Sequence, residues 1–308
     1  MGGPGRGDKF LGLWTSKTPV KHWRLTLTPR MELSAASSRV TQLIMLTFDR
    51  AVRATRGARD YQEDAALLWP GDDPLQPGVV AVARDDGHLF AILADGMGGH
   101  AGGALASRTV CDQFLAAYSN THGPVVDNLL DSLAAANAAI AGKVTANPLL
   151  SGMGSTLVAV AFAPEGLNWV SVGDSPLLLW RRGEIAMLNE DHSLAPDLDA
   201  LAAAGKITAS QAKRDPRRHM LRSAVTGDEI DLVDISRKPL VLEPDDIVIL
   251  ASDGLQSLDN HEIARIIQAY AADGANAIAN ALIRAVDALR EPHQDNATVV
   301  VVKVAGNA

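Results

Sequence analysis

The succession of apolar runs predicts an α+β fold in which antiparallel sheets are covered by helical hairpins. Three observations carry that reading. Strand-like runs follow one another through short turns, helical stretches come in consecutive pairs, and strands and helices never settle into strict alternation. Alternation is what a parallel sheet with crossover helices requires, so its lack favours antiparallel pairing.

Residues 1–45 are basic, broken by Gly and Pro, and without sustained periodicity. They read as an N-terminal extension, either a disordered arm or a stretch upstream of a true start at Met31 or Met45. From Leu46 the pattern sharpens into a domain covering 46–308. Short β-rich runs lie near 46–54, 64–69, 79–84 and 88–94, joined by turn formers such as Asp85-Asp-Gly87. Two alanine-rich amphipathic stretches, about 99–118 and 125–145, read as helices. Strand-like runs return at 155–162, 168–172, 177–181 and 184–188, with Arg182-Gly183 as a tight hairpin turn. Residues 190–228 are polar, helix-prone and irregular, an insertion. Strands are expected near 230–235 and 246–252, helices at 260–271 and 274–288, and a last strand at 297–304.

Of the 308 residues, 47% are apolar, enough to bury a substantial core. The net charge is −8, yet residues 1–50 carry eight basic and three acidic side chains, leaving 20 basic against 33 acidic groups elsewhere. An acidic body disfavours nucleic acid as a partner. No apolar run reaches the length of a membrane span, and the start lacks a signal-peptide core. A single cysteine, Cys111, fits a reducing compartment, so the expected address is cytoplasmic. Cys111 falls within a helical pattern and lacks an Arg six residues on, so it reads as a small core residue and not as a nucleophile.

Four carboxylates, Asp64, Asp95, Asp253 and Asp295, stand where apolar strand-like runs begin or end. Acids at strand termini can converge, and anions gathered in one pocket repel unless cations lie between them. That arrangement predicts a metal site whose hard oxygen ligands favour Mg²⁺ or Mn²⁺ over zinc. Glu63 and Asp64 would point to opposite faces of a regular strand, so both can serve only where a strand starts or bulges. Arg59 lies close by, and its planar fork suits a phosphate. The segment Gly96-Met-Gly-Gly-His-Ala-Gly-Gly103 partly matches a dinucleotide fingerprint. The next strand-like run begins only near Ser155, and Asp112 falls mid-helix, which argues against a Rossmann unit.

Six ordered blocks carry a family resemblance: Arg59–Asp64, Asp95-Gly-Met-Gly-Gly-His100, Gly154-Ser-Thr-Leu157, Gly173-Asp-Ser175, Ala251-Ser-Asp-Gly254 and Asp295-Asn-Ala-Thr298. In that order they resemble metal-dependent protein serine/threonine phosphatases of the PP2C (PPM) family, in its bacterial branch, over about residues 46–304. The resemblance implies a four-layer α-β-β-α sandwich with two metal ions, Mn²⁺ or Mg²⁺, at one end. It implies that Asp95 bridges both ions, that the Gly96 carbonyl holds one, and that Asp253 and Asp295 hold the other. Glu63 and Asp64 would orient metal-bound waters, Arg59 would bind the substrate phosphate, and Asp174 would help hold a third, looser ion. Residues 190–228 would form a flap beside the cleft. The implied activity is hydrolysis of phosphoserine and phosphothreonine in proteins by a metal-activated water, without a covalent intermediate. Phosphorylated proteins are the implied substrates, and a cognate Ser/Thr kinase the implied partner. A non-catalytic module that binds phosphoproteins or senses metal is the alternative.

Some positions depart from the family pattern. Met97 stands where many eukaryotic relatives carry a candidate general-acid His, so protonation of the leaving oxygen would fall to metal-bound water, with His100 or His192 as substitutes. Gln62 replaces the commoner Asn, while Pro176 and Ser257 replace residues usual near the third ion. Ser155 and Thr156 read as strand packing and not as a nucleophile.

Overall fold

The structure, a computed structural model, describes residues 46–70, 88–99 and 101–305. The N-terminal extension, the strand expected at 79–84 and His100 lie outside the described residues. Two five-stranded antiparallel sheets form from the apolar runs. One takes the order β1 (Thr47–Thr55), β12 (Ala297–Ala305), β11 (Ile247–Ala251), β8 (Leu177–Arg181), β9 (Glu184–Met187). The other takes β10 (Asp234–Ile235), β7 (Gly166–Val172), β6 (Leu157–Ala163), β3 (Leu89–Ala94), β2 (Ala65–Trp69). A two-residue pair, β4 (Gly96–Met97) with β5 (Gly154–Ser155), extends from the second sheet's end.

The continuous apolar strands have a physical cause: both of their faces are covered. In β11, Val248 and Leu250 enter a core shared by the two sheets, alongside Val300 and Leu93. The alternate residues Ile247, Ile249 and Ala251 meet helices α5 (Asn260–Tyr270) and α6 (Ala275–Leu289). In β3, Leu89, Ala91 and Leu93 face the shared core. Phe90, Ile92 and Ala94 instead pack against α1 (Ala101–Asn120) and α2 (Val125–Ala146). Three apolar layers therefore separate four layers of secondary structure, the expected α-β-β-α sandwich.

The differences from the sequence reading are local. Helix α1 begins after Gly98 and Gly99, whose φ angles of 114° and 73° are not helical. Of the run at 230–235 only Asp234–Ile235 pairs, against Ser171 and Val170 of β7. Residues 190–228 contain two short helices, α3 (Ala195–Ala203) and α4 (Ala209–Arg214), the latter opened by a Thr208–Gln211 capping box. That segment is tied down at both ends: His192 N donates to Gly173 O, and Ser155 and Val225 exchange a backbone pair.

Candidate metal centre

Antiparallel register brings the predicted acids to one end of the sandwich. Ala65 pairs with Ala94, so the start of β2 and the finish of β3 coincide, with Asp64 and Asp95 one residue beyond each. Ala251 pairs with Val299, which places Asp253 past the end of β11 near Asp295 at the start of β12. Asp174 precedes β8, the neighbour of β11 in the same sheet. Arg59 follows β1, whose Thr55 pairs with Ala297. A cleft of about 740 Å³ opens there, and Arg59, Glu63, Asp95, Gly96, Asp174, Asp253 and Asp295 all line it. Asp64 lies buried behind them.

Glu63 and Asp64 escape the two-face constraint because β2 begins only at Ala65. The Asp64 carboxylate is aimed by its partners. Ser252 and Thr298 hydroxyls donate to Oδ2 at 2.8 and 2.7 Å. Oδ1 is buried without a hydrogen-bond partner. Asn296 fixes the approach of Glu63: its Oδ1 accepts from Glu63 N at 2.7 Å, while Nδ2 donates to the carbonyls of Arg56 and Tyr61, both at 3.0 Å.

Asp95 is held by its backbone, which leaves its side chain to the cleft. Its N–H donates to Thr156 Oγ1 at 3.0 Å, and its carbonyl accepts from Ser155 Oγ and Thr156 N. The Ser155–Thr156 pair is thus a bracket for Asp95, in keeping with a packing role. Gly96 is forced by space: a Cβ there would lie 2.2 Å from Gly103 O and 2.5 Å from Glu63 O.

The electrostatics fit cations. Burial, then the Asp253 and Asp295 charges, push Asp64 up to about 7 against the pull of its two hydroxyl donors. Burial and the neighbouring acids raise Asp95 well above the carboxylate range. Asp174 is pushed to about 7 by burial and by Asp253. Burial and Asp295 raise Asp253 too. Asp253 Oδ1 is buried without a partner, like Asp64 Oδ1. Anionic oxygens this crowded and underused suit hard divalent cations, and the residues present fit such a centre.

Arg59 is half exposed and donates to Asp295 Oδ2 at 2.5 Å. Ser257 turns away, donating to Gly254 O. His192 is buried, its Nδ1 accepts from Gly173 N, and burial lowers its pKa. Its role is to pin the Gly173 turn beside Asp174. His219 went unnoticed in the sequence. It lines the cleft from the 190–228 segment, and one ligand atom each of Asp174, His219 and Asp253 lie within 4.8 Å of one another. No periodicity or motif marked it, since only tertiary folding returns that segment to the strand ends. Ser252, Asn296 and Thr298 stood inside quoted blocks, and only the hydrogen bonds reveal their duties.

Comparison with known proteins agrees with this geometry. Residues 69–293 match the protein phosphatase 2C family model. The chain is 34% identical over 236 residues to the serine/threonine protein phosphatase PstP of Mycobacterium tuberculosis, covering 74% of this chain and 43% of that protein. It therefore spans less than half of that relative's length. A structure of the PstP catalytic domain in complex with two manganese ions is similar at 30% identity and TM-score 0.63, covering 85% of this chain and all of that one. The PPM Ser-Thr phosphatase MsPP from Mycobacterium smegmatis, in complex with cacodylate, is similar at 27% identity and TM-score 0.64, covering 83% of this chain and 98% of that one. On its fold, its ordered motifs and the match over 69–293, the chain belongs to the protein phosphatase 2C family.

Proposed function

We propose that this chain hydrolyses phosphoserine and phosphothreonine in proteins, using Mn²⁺ or Mg²⁺. The observation that carries the reading is the meeting of Asp64, Asp95, Asp253 and Asp295 at one cleft end, with buried carboxylate oxygens left unpartnered. In this reading Asp95 and the Gly96 carbonyl, with Asp253 and Asp295, hold two ions, and Asp174 serves a third position. When bound, two divalent ions supply an acidified water and Lewis-acid relief of charge at phosphorus. Asp64, whose carboxylate is aimed by Ser252 and Thr298, would act with Glu63 in orienting that water. The guanidinium of Arg59 offsets charge on the non-bridging oxygens. The water oxygen bonds to phosphorus as the ester bond breaks, and the departing seryl or threonyl oxygen takes a proton. Met97, which lines the cleft, offers none, and that proton is assigned to cleft water.

The manganese held by the PstP catalytic domain supports the choice of ion. A cognate Ser/Thr kinase as partner follows from the same reading. A cytoplasmic setting is supported by the lone, buried Cys111, and no helix among the described residues is long and apolar enough to cross a membrane. Residues 1–45 are read as an extension to a catalytic domain whose 190–228 segment is a flap. A non-catalytic phosphoprotein-binding module is the second reading, favoured by one observation: Arg59 is engaged by Asp295. Hydrolysis of a phosphothreonine peptide with Mn²⁺ separates the two. Turnover abolished by EDTA and by Asp253→Asn supports catalysis, and saturable peptide binding without phosphate release favours the module.

A further inference from the structure

Among the described residues that line the cleft, His219 is the one imidazole beside the carboxylates. His219 sits on a turn closed by Met220 N donating to Arg217 O, and Leu194 N donates to Met220 O just beyond it. Both flanks are anchored by ion pairs, Arg218 to Asp199 and Arg222 to Asp197, each at 2.8 Å. Among the described residues no hydrogen bond is made by the His219 imidazole, which faces the cleft beside Asp174 and Asp253. Asp174 is 8% exposed, no donor from another described residue reaches its carboxylate, and Asp253 Oδ1 is buried and unpartnered. A cation therefore meets two underused carboxylates and one open imidazole there.

We propose that His219 is a ligand to a divalent cation held with Asp174 and Asp253, so that this outer position is a mixed nitrogen–oxygen site. Ion binding there draws the 190–228 segment onto the strand ends. The inference rests on the proposed divalent centre, since Asp253 is shared with it. Imidazole nitrogen favours manganese, cobalt or zinc over magnesium, which prefers oxygen and keeps its waters. The other ligands proposed for the cleft all present oxygen, so this position differs in kind as well as place. Its occupancy reports the closed segment, because one of its three ligands comes from that segment alone.

The test is pulsed electron paramagnetic resonance on the untagged full-length chain loaded with Mn²⁺, together with bound-metal stoichiometry and hydrogen exchange. Nitrogen-14 modulation from a directly bound imidazole is expected in the wild type and is expected to vanish in His219→Gln. That variant should lose one equivalent of manganese, with affinity at the outer position down by at least roughly tenfold, while two ions remain. Exchange at 215–222 should slow with Mn²⁺ and not with Mg²⁺, and the variant should lose that slowing. Two bound ions without nitrogen modulation in the wild type, or modulation that persists in the variant, overturns the inference and leaves the two-ion reading intact. No bound manganese at all overturns both. Because the wild-type signal decides the matter alone, misfolding of the variant would not shield the proposal.

Discussion

At the residue scale, Asn296 does more than its place in a motif suggests. One amide joins three points of the 56–63 loop, so its loss strands the Glu63 N–H and two carbonyls. Asn296→Ala should cost roughly 1–3 kcal/mol of unfolding free energy and also lower turnover, because the loop carries Arg59 and Glu63. Chemical denaturation and steady-state kinetics on the same preparation check both. Arg59→Ala separates phosphate binding from metal binding. KM for phosphopeptide should rise while calorimetry still detects divalent-ion binding, since the role proposed for the guanidinium is to meet the phosphate and it touches only one oxygen of Asp295. Loss of metal binding in that variant would contradict the role given to Arg59.

At the element scale, the site depends on turns that leave strands without room for a side chain. A Cβ on Gly254 would stand 2.0 Å from the Asn296 carbonyl, so the turn carrying Asp253 packs backbone to backbone against the approach to β12. Gly254→Ala should therefore destabilise by roughly 1–3 kcal/mol and weaken manganese binding. Gly142→Ala is the contrasting control, since Gly142 lies within α2 and nothing stands within 4 Å of the added carbon. That change should stabilise by about 0.5–1 kcal/mol. Thermal melts of the two variants should shift in opposite directions. Strands were legible where burial on two faces kept them wholly apolar, as in Ile247–Ala251 and Leu89–Ala94. The two-residue pair at Gly96–Met97 and Gly154–Ser155 was not, because so short a ladder leaves no periodicity to read. The acids were legible because each adjoins such a strand. His219 was not, for its position depends on ion pairs between charges nineteen and more residues apart.

At the scale of the whole molecule, the clustered acids set the pH response. Asp64 and Asp174 titrate near 7 in the fold and near 3.8 when unperturbed, so the folded state holds protons that the unfolded chain releases. Stability from those protons is complete below the ordinary carboxylate range and is lost as pH rises through about 7. The metal-free Tm should fall between pH 5 and 8, and saturating Mn²⁺ should remove that fall, as calorimetric melts would record. The account as a whole stands on two cations relieving the mutual repulsion of the strand-end carboxylates. Anomalous diffraction from crystals soaked in manganese tests this directly. The predicted map has at least two peaks, an inner pair about 3.5–4 Å apart flanking Asp95, with Asp253 and Asp295 on one of them. A saturated crystal with no anomalous peak among these carboxylates would contradict it.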